Sequence, residues 1–203
     1  AGLPLWEVTD GVNTIHLLGS IHLLRPEVYP LDPAIYEAFD AAEVVVFEVD
    51  PEQLAQGSQR MVERGMLVDG RTLTDLLPPD LAEALDRHLA AGPLPAEFVM
   101  RTKPWFAGIM LTMATTTQSG FEAGAGIDQH FYERTVEAAK RIAGLETIDD
   151  QIDSLDGLGE DAQVALLRSA VEQLDAVAVQ LDRLTANWKR GDVEAIAAMM
   201  SEG

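Results

Sequence analysis

One histidine and three acidic residues have the side chains and positions that metal-assisted chemistry requires. His22, Glu48 and Glu146 each follow the C-terminal end of a predicted strand, and Asp128 opens a predicted helix behind a glycine-containing loop. Loops converge at this edge of an open α/β sheet, and ligands bind there. We therefore expect His22 and Glu48 to approach one another at one sheet edge, with Asp128 and Glu146 as further members of the site.

Imidazole nitrogen and carboxylate oxygen are donors that suit manganese, cobalt, zinc or iron. A carboxylate that does not bind the metal can act as a general base toward a bound water molecule. His22 and Glu48 are therefore candidate catalytic residues. The candidate metal ligands are His22, Glu48, Asp128 and Glu146.

Each of these residues also has a structural interpretation. His22 can be a loop histidine that hydrogen-bonds only to protein. Asp128 and Glu146 can be helix caps, which is the usual role of an acidic residue at a helix start. Gly19 can serve a tight turn out of a strand. Glu48 is harder to explain in this way, because it follows four apolar strand residues and a buried charge needs a partner.

The elements that position these residues begin with a hairpin. Apolar and polar residues alternate over residues 6–18, and Asp10-Gly11 predicts a two-residue hairpin turn between two strands. Asp32-Pro33 predicts a capped helix start. The apolar run at residues 44–47 is typical of a strand that is buried on both faces. The hairpin leads to His22, and this buried strand leads to Glu48.

The remainder of the chain is mostly helical in its pattern. Helices are predicted over residues 51–64, 79–91, 96–101, 105–114 and 128–141, with a loop at 115–120, a short strand at 142–145 and one long amphipathic helix over 160–188. This order predicts an α/β fold: a central mixed β-sheet with an N-terminal hairpin, flanked by helices and a long helical insertion. We expect a single domain over residues 1–203.

The composition restricts the partners. The chain has 34 acidic and 14 basic residues, a formal net charge of −20, which disfavours nucleic acid and anionic lipid as partners. Such a charge is chiefly a means of staying in solution, and a preference for cationic or neutral peptide partners is the alternative interpretation. The apolar runs of the chain fall short of the roughly 20 residues that span a bilayer. The absence of cysteine excludes thiol catalysis, zinc fingers and iron–sulfur clusters.

Several motifs together resemble the TraB/GumN family, which includes the Tiki proteases. The first is the Gly-x-x-His of residues 19–22, within TIHLLGSIHLL. The others follow in order over nearly the whole chain: VFEVD at 46–50, KPW at 103–105, GID at 126–128, GLET at 144–147 with Gln151, and Trp188 with Gly191-Asp192.

This resemblance implies a function and a site. Tiki members are metal-dependent proteases that act on secreted proteins, and the family's site uses two Gly-x-x-His motifs and a glutamate after the second core strand. His22 matches the first motif and Glu48 matches the glutamate. GumN-like bacterial members are exported, which implies a periplasmic or extracellular location and makes Ala1 an end left by a signal peptidase.

The second Gly-x-x-His is absent, since His130 follows Gly126 by four positions. In the family that motif lies beyond the Trp–Gly–Asp segment. We therefore expect a domain that is truncated at its C-terminus or has lost half of its site, with manganese, cobalt or zinc held weakly and little activity. A missing strand would also expose a sheet edge, which favours a homodimer.

Two functions from different classes follow. The first is a metal-dependent hydrolase that acts on peptides or secreted proteins. The alternative is a catalytically inactive module that binds and sequesters a peptide. A transition metal at His22 would favour the enzyme, whereas a His22 that hydrogen-bonds only to protein would favour the binding module.

Overall fold

The computed structural model describes residues 2–201, apart from the side chains of residues 51 and 54–56, so Ala1 and the last two residues lie outside it. The chain divides into two compact units. Unit 1 consists of residues 1–47, 120–143 and 178–203, and unit 2 consists of residues 48–119 and 144–177. The prediction of a single domain stays a prediction.

Four strands and ten α-helices occur within residues 2–201. The strands are β1 (Leu5–Thr9), β2 (Thr14–Leu18), β3 (Val44–Val49) and β4 (Arg141–Glu146). The helices are α1 (Pro33–Ala41), α2 (Pro51–Gly65), α3 (Pro79–Ala91), α4 (Ala96–Val99), α5 (Pro104–Gln118), α6 (Ile127–Glu137), α7 (Ile148–Asp156), α8 (Glu160–Gln173), α9 (Val177–Arg190) and α10 (Val193–Ser201). No helix in this part of the chain is both long and apolar enough to span a membrane.

The predicted α/β class is confirmed. The strands form two small sheets and not one central sheet. β1 and β2 form the antiparallel hairpin, and β3 and β4 form a parallel pair. The hairpin loop has four residues and not the predicted two. Asp10 Oδ1 accepts hydrogen bonds from the backbone N–H groups of Val12 and Asn13 at 2.8 and 2.6 Å, which closes the wider loop.

Helix starts follow from local chemistry. Asp32 accepts a hydrogen bond from Ala34 N at 3.0 Å and Pro33 occupies the first turn of α1, as the sequence predicts. Asp50 caps α2 in the same way through Glu52 N at 3.0 Å. Such caps satisfy backbone donors that the helix itself leaves unpaired.

Each unit has its own apolar core. In unit 1 the buried side chains come from the segment after the hairpin, α1, β3, α6 and α9, and include Ile21, Leu24, Phe39, Phe131 and Trp188. In unit 2, α5 packs on α8, where Gly108 faces Leu167 so closely that an added Cβ would lie 3.7 Å from the Leu167 Cα. A second buried cluster of unit 2 centres on Trp105, Phe106 and Ile152.

Two helix predictions were wrong. The predicted loop at residues 115–120 is largely helical, since α5 continues to Gln118. Thr116 is fully buried there, and its hydroxyl donates to the carbonyl oxygens of Thr112 and Met113 at 2.9 and 3.0 Å. The predicted long helix is two helices, because α8 ends at Gln173 and α9 begins at Val177.

Candidate functional site

In unit 1, a short segment after β2 carries His22 to the start of α6. His22 Nδ1 donates a hydrogen bond to Asp128 Oδ2 at 2.6 Å, and Ser20 Oγ donates to the same oxygen at 2.7 Å. The imidazole is 67% exposed and the Asp128 side chain is 24% exposed. The carboxylate thus lies at the base of the pair, and the imidazole faces the surface.

Two backbone features hold this segment against α6. The Ile127 N–H donates to the Ile21 carbonyl oxygen at 2.9 Å. A Cβ added at Gly126 would overlap the His22 carbonyl oxygen, so only glycine allows this close approach. Asp128, one residue into the first turn of α6, is placed beside His22 by these contacts.

Trp188 of α9 holds the other end of the segment. Its indole Nε1 donates to the Gly19 carbonyl oxygen at 2.7 Å, and its side chain is buried. The Gly19 N–H donates to the Pro4 carbonyl oxygen at 2.8 Å, and a Cβ added at Gly19 would lie 3.4 Å from the Pro4 Cβ. Gly19 therefore sits where the backbone of the segment passes close to neighbouring groups.

The surroundings of Asp128 favour its charged form. Burial by itself raises the pKa of this carboxyl, but the hydrogen bonds from His22 and Ser20 outweigh burial and hold the pKa below its ordinary value of 3.8. Gly126 occupies the N-cap position of α6 and makes no side-chain cap hydrogen bond, so Asp128, two residues further on, is not the helix cap that its position suggests. Its carboxylate instead accepts the hydrogen bond from the His22 imidazole.

This arrangement fixes the proton on the imidazole. A carboxylate acceptor at Nδ1 selects the tautomer with hydrogen on Nδ1, and the neutral ring then carries its lone pair on Nε2. Ser20 bonds to the carboxylate and not to the imidazole, so the three residues do not form a serine-nucleophile triad. The pair instead resembles the carboxylate–histidine arrangement that accompanies metal ligands and general bases.

In unit 2, a glutamine joins two of the predicted acidic residues. Gln151 Nε2 donates to Glu48 Oε1 at 2.6 Å and to Glu146 Oε1 at 2.7 Å. Glu48 lies near the end of β3, Glu146 ends β4, and Gln151 lies in the first turns of α7. Both amide protons of one side chain are used, which holds two carboxylates at the same end of the parallel strands.

Glu146 is not a helix cap. Thr147 occupies that position: its hydroxyl accepts from Asp150 N at 3.2 Å, and Asp150 Oδ2 accepts from Thr147 N at 2.9 Å. This reciprocal capping box fixes the start of α7. The helix start in turn places Gln151 opposite the two strand ends.

The predicted residues therefore fall into two clusters, His22 with Asp128 in unit 1 and Glu48 with Glu146 in unit 2. The prediction that His22 and Glu48 meet stays a prediction. Among residues 2–201, no group of three or more His, Asp or Glu side chains could hold a metal ion. The described residues thus fit one histidine ligand with its orienting carboxylate, but they do not provide a complete coordination set.

A model of the TraB/PrgY/gumN family matches residues 4–203, which is nearly the whole chain. The chain belongs to this family. Neither the curated proteins nor the solved structures gave a significant match. The resemblance inferred from the ordered motifs is thus confirmed at the level of the TraB/PrgY/gumN family.

The structure also shows what the other TraB/PrgY/gumN motif residues do in this chain. Lys103 Nζ and Trp105 Nε1 both donate to Asp156 Oδ1, at 2.5 and 3.2 Å, and Trp105 is buried. Gly191 has a positive φ of 62° after α9, and Asp192 Oδ1 accepts from Ala195 N at 3.1 Å near the start of α10. These motif residues make contacts within their own units, whereas the His22 side chain of the Gly19–His22 segment is 67% exposed.

Ser20 and Gln151 are the residues that reasoning about chemistry missed. Ser20 lies inside the Gly-x-x-His motif and Gln151 follows the GLET motif, but neither residue type by itself indicated a site. Their hydrogen bonds to the acidic residues give them their importance. Position within a family motif was the available signal.

Proposed function

We propose that this chain is a metal-dependent hydrolase of peptides or secreted proteins, of the Tiki-like kind. The observation that carries the proposal is the 2.6 Å hydrogen bond from His22 Nδ1 to Asp128 Oδ2. A histidine that belongs to the family's Gly-x-x-His motif is oriented there by a carboxylate. Histidine ligands of catalytic metals have such partners, and loss of the partner costs about 10- to 100-fold in metal affinity or activity.

The roles of the chain's own residues follow from this contact. Asp128 holds the proton on Nδ1, and its negative charge makes Nε2 a stronger base and a better ligand. Ser20 keeps the Asp128 carboxylate in place by donating to the same oxygen. His22 is then the residue that binds the metal or takes a proton from a water molecule, and Asp128 is its positioning residue.

A metal would be held through His22 Nε2, and Glu48, the glutamate that the resemblance assigns, is proposed as a further donor. When bound, such a metal polarises a carbonyl group and lowers the pKa of bound water. We propose manganese, cobalt or zinc, because imidazole with carboxylate suits these ions.

Glu48 is the proposed general base or second ligand. Gln151 restrains it by a hydrogen bond of 2.6 Å, and the same amide restrains Glu146. A carboxylate held at a defined position by an amide donor can accept a proton without first reorganising. Glu146 shares this restraint and is proposed as an auxiliary carboxylate.

The test is peptide cleavage by the full-length protein with manganese or cobalt, measured together with thermal melting. His22→Ala and Glu48→Gln should abolish cleavage without lowering the melting temperature by more than a few degrees. The controls are His88→Ala and Glu63→Gln. Glu63 is matched to Glu48 because it also accepts a hydrogen bond from a glutamine amide, that of Gln59, at 2.8 Å. Full activity in a folded Glu48→Gln variant would refute the role of Glu48.

A second candidate is a module that binds a peptide without cleaving it. The observation that favours it is the lack of a three-donor group among the residues that the structure describes. The two candidates differ in their response to metal. If cleavage is absent with every divalent metal tested and peptide affinity survives chelation, the binding module is the correct function.

We further propose that the chain acts in the periplasm or outside the cell, as its GumN-like resemblance implies. Fusion of the native gene to alkaline phosphatase, which is active only after export, should give active phosphatase. Activity of a cytoplasmic reporter fused to the same gene would contradict export.

A further inference from the structure

One face of the β1–β2 hairpin is apolar and exposed. The pairing register places Trp6 opposite Leu17 and Val8 opposite Ile15, so these four side chains point to the same side. They are between 46% and 59% exposed. The opposite face carries Leu5 and Leu18, which pack against the core of unit 1. The hairpin therefore rests on the core with one face and presents an apolar face on the other.

The outer edge of β2 carries no second strand in the described part of the chain, where β2 pairs with β1 alone. The N–H and C=O groups of alternate β2 residues point away from β1, because an antiparallel ladder directs successive residues inward and outward. An extended chain added at this edge would gain backbone hydrogen bonds, and its alternate side chains would extend the apolar face.

The size of this surface argues against a second copy of the chain as its occupant. A stable dimer buries about 800 Å² per partner and uses 20–30 residues on each side. The apolar face offers four side chains on two five-residue strands. A β-strand of five residues is about 17 Å long, which is the length of a short peptide segment. Two copies would also bring together two formal charges of −20.

Charge selects among peptides. Residues 1–24 contain no lysine or arginine. The hairpin carries two carboxylates, Asp10 in its loop and Glu7, whose Oε2 lies 3.2 Å from His16 Nε2. The chain as a whole adds a strongly negative field, which raises the association rate of cations. An extended peptide with apolar residues on one face and lysine or arginine on the other is complementary to both properties.

The position of this edge relates it to the candidate site. β2 ends at Leu18, four residues before His22, and both lie in unit 1. A peptide paired with β2 would follow the strand toward the His22–Asp128 pair. We propose that the exposed face and outer edge of the hairpin form the docking surface for an extended, cationic peptide, added as a third strand beside β2. As the substrate class of the hydrolase this rests on the proposed function, but binding is measurable without it.

The experiment is a titration of the ¹⁵N-labelled chain, without metal, with a seven-residue peptide that alternates valine and lysine. Amide shifts should concentrate in residues 14–18. The double variant Val8→Thr/Ile15→Thr keeps the β-branched shape and should weaken binding about tenfold or more, since each change replaces apolar surface by a hydroxyl. The matched control is Val136→Thr/Val179→Thr, whose two valines are 55% and 62% exposed on helices of the same unit.

Variation of the peptide tests the same proposal on the unaltered chain. Glutamate in place of lysine should weaken binding at least about tenfold, and proline in place of the central valine should abolish strand pairing. Equal binding of the glutamate peptide, or shifts confined to other residues, would overturn the proposal. Sedimentation that shows a dimer, which the Val8→Thr/Ile15→Thr variant dissociates, would assign the face to a second copy and also overturn it.

The outcome is separable from that of the proposed function. Peptide binding at β2 without any cleavage would leave the docking surface intact and refute the hydrolase. Cleavage that depends on His22 but is unaffected by Val8→Thr/Ile15→Thr would refute the docking surface and leave the hydrolase intact.

Discussion

His22 Nδ1 and Asp128 Oδ2 are joined by a 2.6 Å hydrogen bond although 106 positions separate the two residues in the chain. The bond depends on Gly126, which lets the first turn of α6 approach the His22 backbone. It converts an acidic residue in the first turn of a helix into the partner of a surface imidazole. The carboxylate partner of the Gly-x-x-His histidine in this chain therefore comes from another segment.

The lowered pKa of Asp128 predicts how stability depends on pH. A carboxyl whose pKa is lower in the folded state stabilises the fold above its unfolded pKa, and this contribution is lost as the pH falls through the folded pKa. Asp128→Asn should therefore lower the free energy of unfolding by about 1–2 kcal/mol at neutral pH. The difference in unfolding free energy between the Asp128→Asn variant and the unaltered chain should shrink below pH 3.8, the ordinary pKa of this carboxyl.

Urea unfolding at several pH values measures this difference, with Asp40→Asn as the control. A difference that is constant from pH 7 to pH 2 would contradict this origin.

Metal binding by this chain should be weak. Catalytic zinc sites use three protein ligands, and no three-donor group occurs in the described residues 2–201. Calorimetric titration with manganese, cobalt or zinc should show low affinity at His22, and Asp128→Asn should lower it about tenfold or more. Tight one-to-one binding that His22→Ala abolishes would show that other residues of this chain complete the site.

Replacement of Gln151 by glutamate should place a third carboxylate between Glu48 and Glu146. The like charges repel, by roughly 1 kcal/mol for a solvent-exposed pair. Gln151→Glu should therefore lower the melting temperature at pH 7. Gln59→Glu is the matched control, because Gln59 donates to a single glutamate, Glu63. Equal effects of the two substitutions would show that Gln151 does not bridge two carboxylates.

Asp156 should contribute to stability and not to catalysis. Its side chain is 11% exposed and accepts hydrogen bonds from Lys103, Trp105 and Arg64. Asp156→Ala removes the acceptor of Lys103 and Trp105 and one of the two acceptors of Arg64, and it should cost about 2 kcal/mol of unfolding free energy. Asp153→Ala is the control, since Asp153 also accepts from Arg64 but is 62% exposed, and it should cost under about 0.5 kcal/mol. Denaturant unfolding compares them, and equal costs would contradict the buried role of Asp156.

Local chemistry was predictable from the sequence. Asp32 with Pro33 identified the start of α1, and the alternation of residues 6–18 identified the hairpin, because caps and period-two patterns depend on neighbours in the chain. The division at residues 174–176 was not predictable in this way. Apolar steps continue across it without glycine or proline, so the pattern there is the same as that of an unbroken helix.

In the candidate site, too, some residues could be predicted from the sequence and others could not. His22 and Glu48 were found through their positions after strands and through family motifs. The interpretation of Asp128 as a helix cap was wrong. Its hydrogen-bond partner, His22, is remote in the sequence, so the local pattern gave no sign of the contact. Gln151 gave no chemical signal at all, because an amide becomes informative only once the carboxylates that it joins are known.

The indole of Trp188 offers an optical measure of the segment that carries His22. Trp188 is buried and its Nε1 donates to the Gly19 carbonyl oxygen, three residues before His22. With Trp6 and Trp105 replaced by phenylalanine, its fluorescence would be the only tryptophan emission of the 203-residue chain, which has three tryptophans. A shift of that emission toward the red would report water reaching the segment. Movement of the segment that carries His22 can thus be followed in real time without attaching a dye.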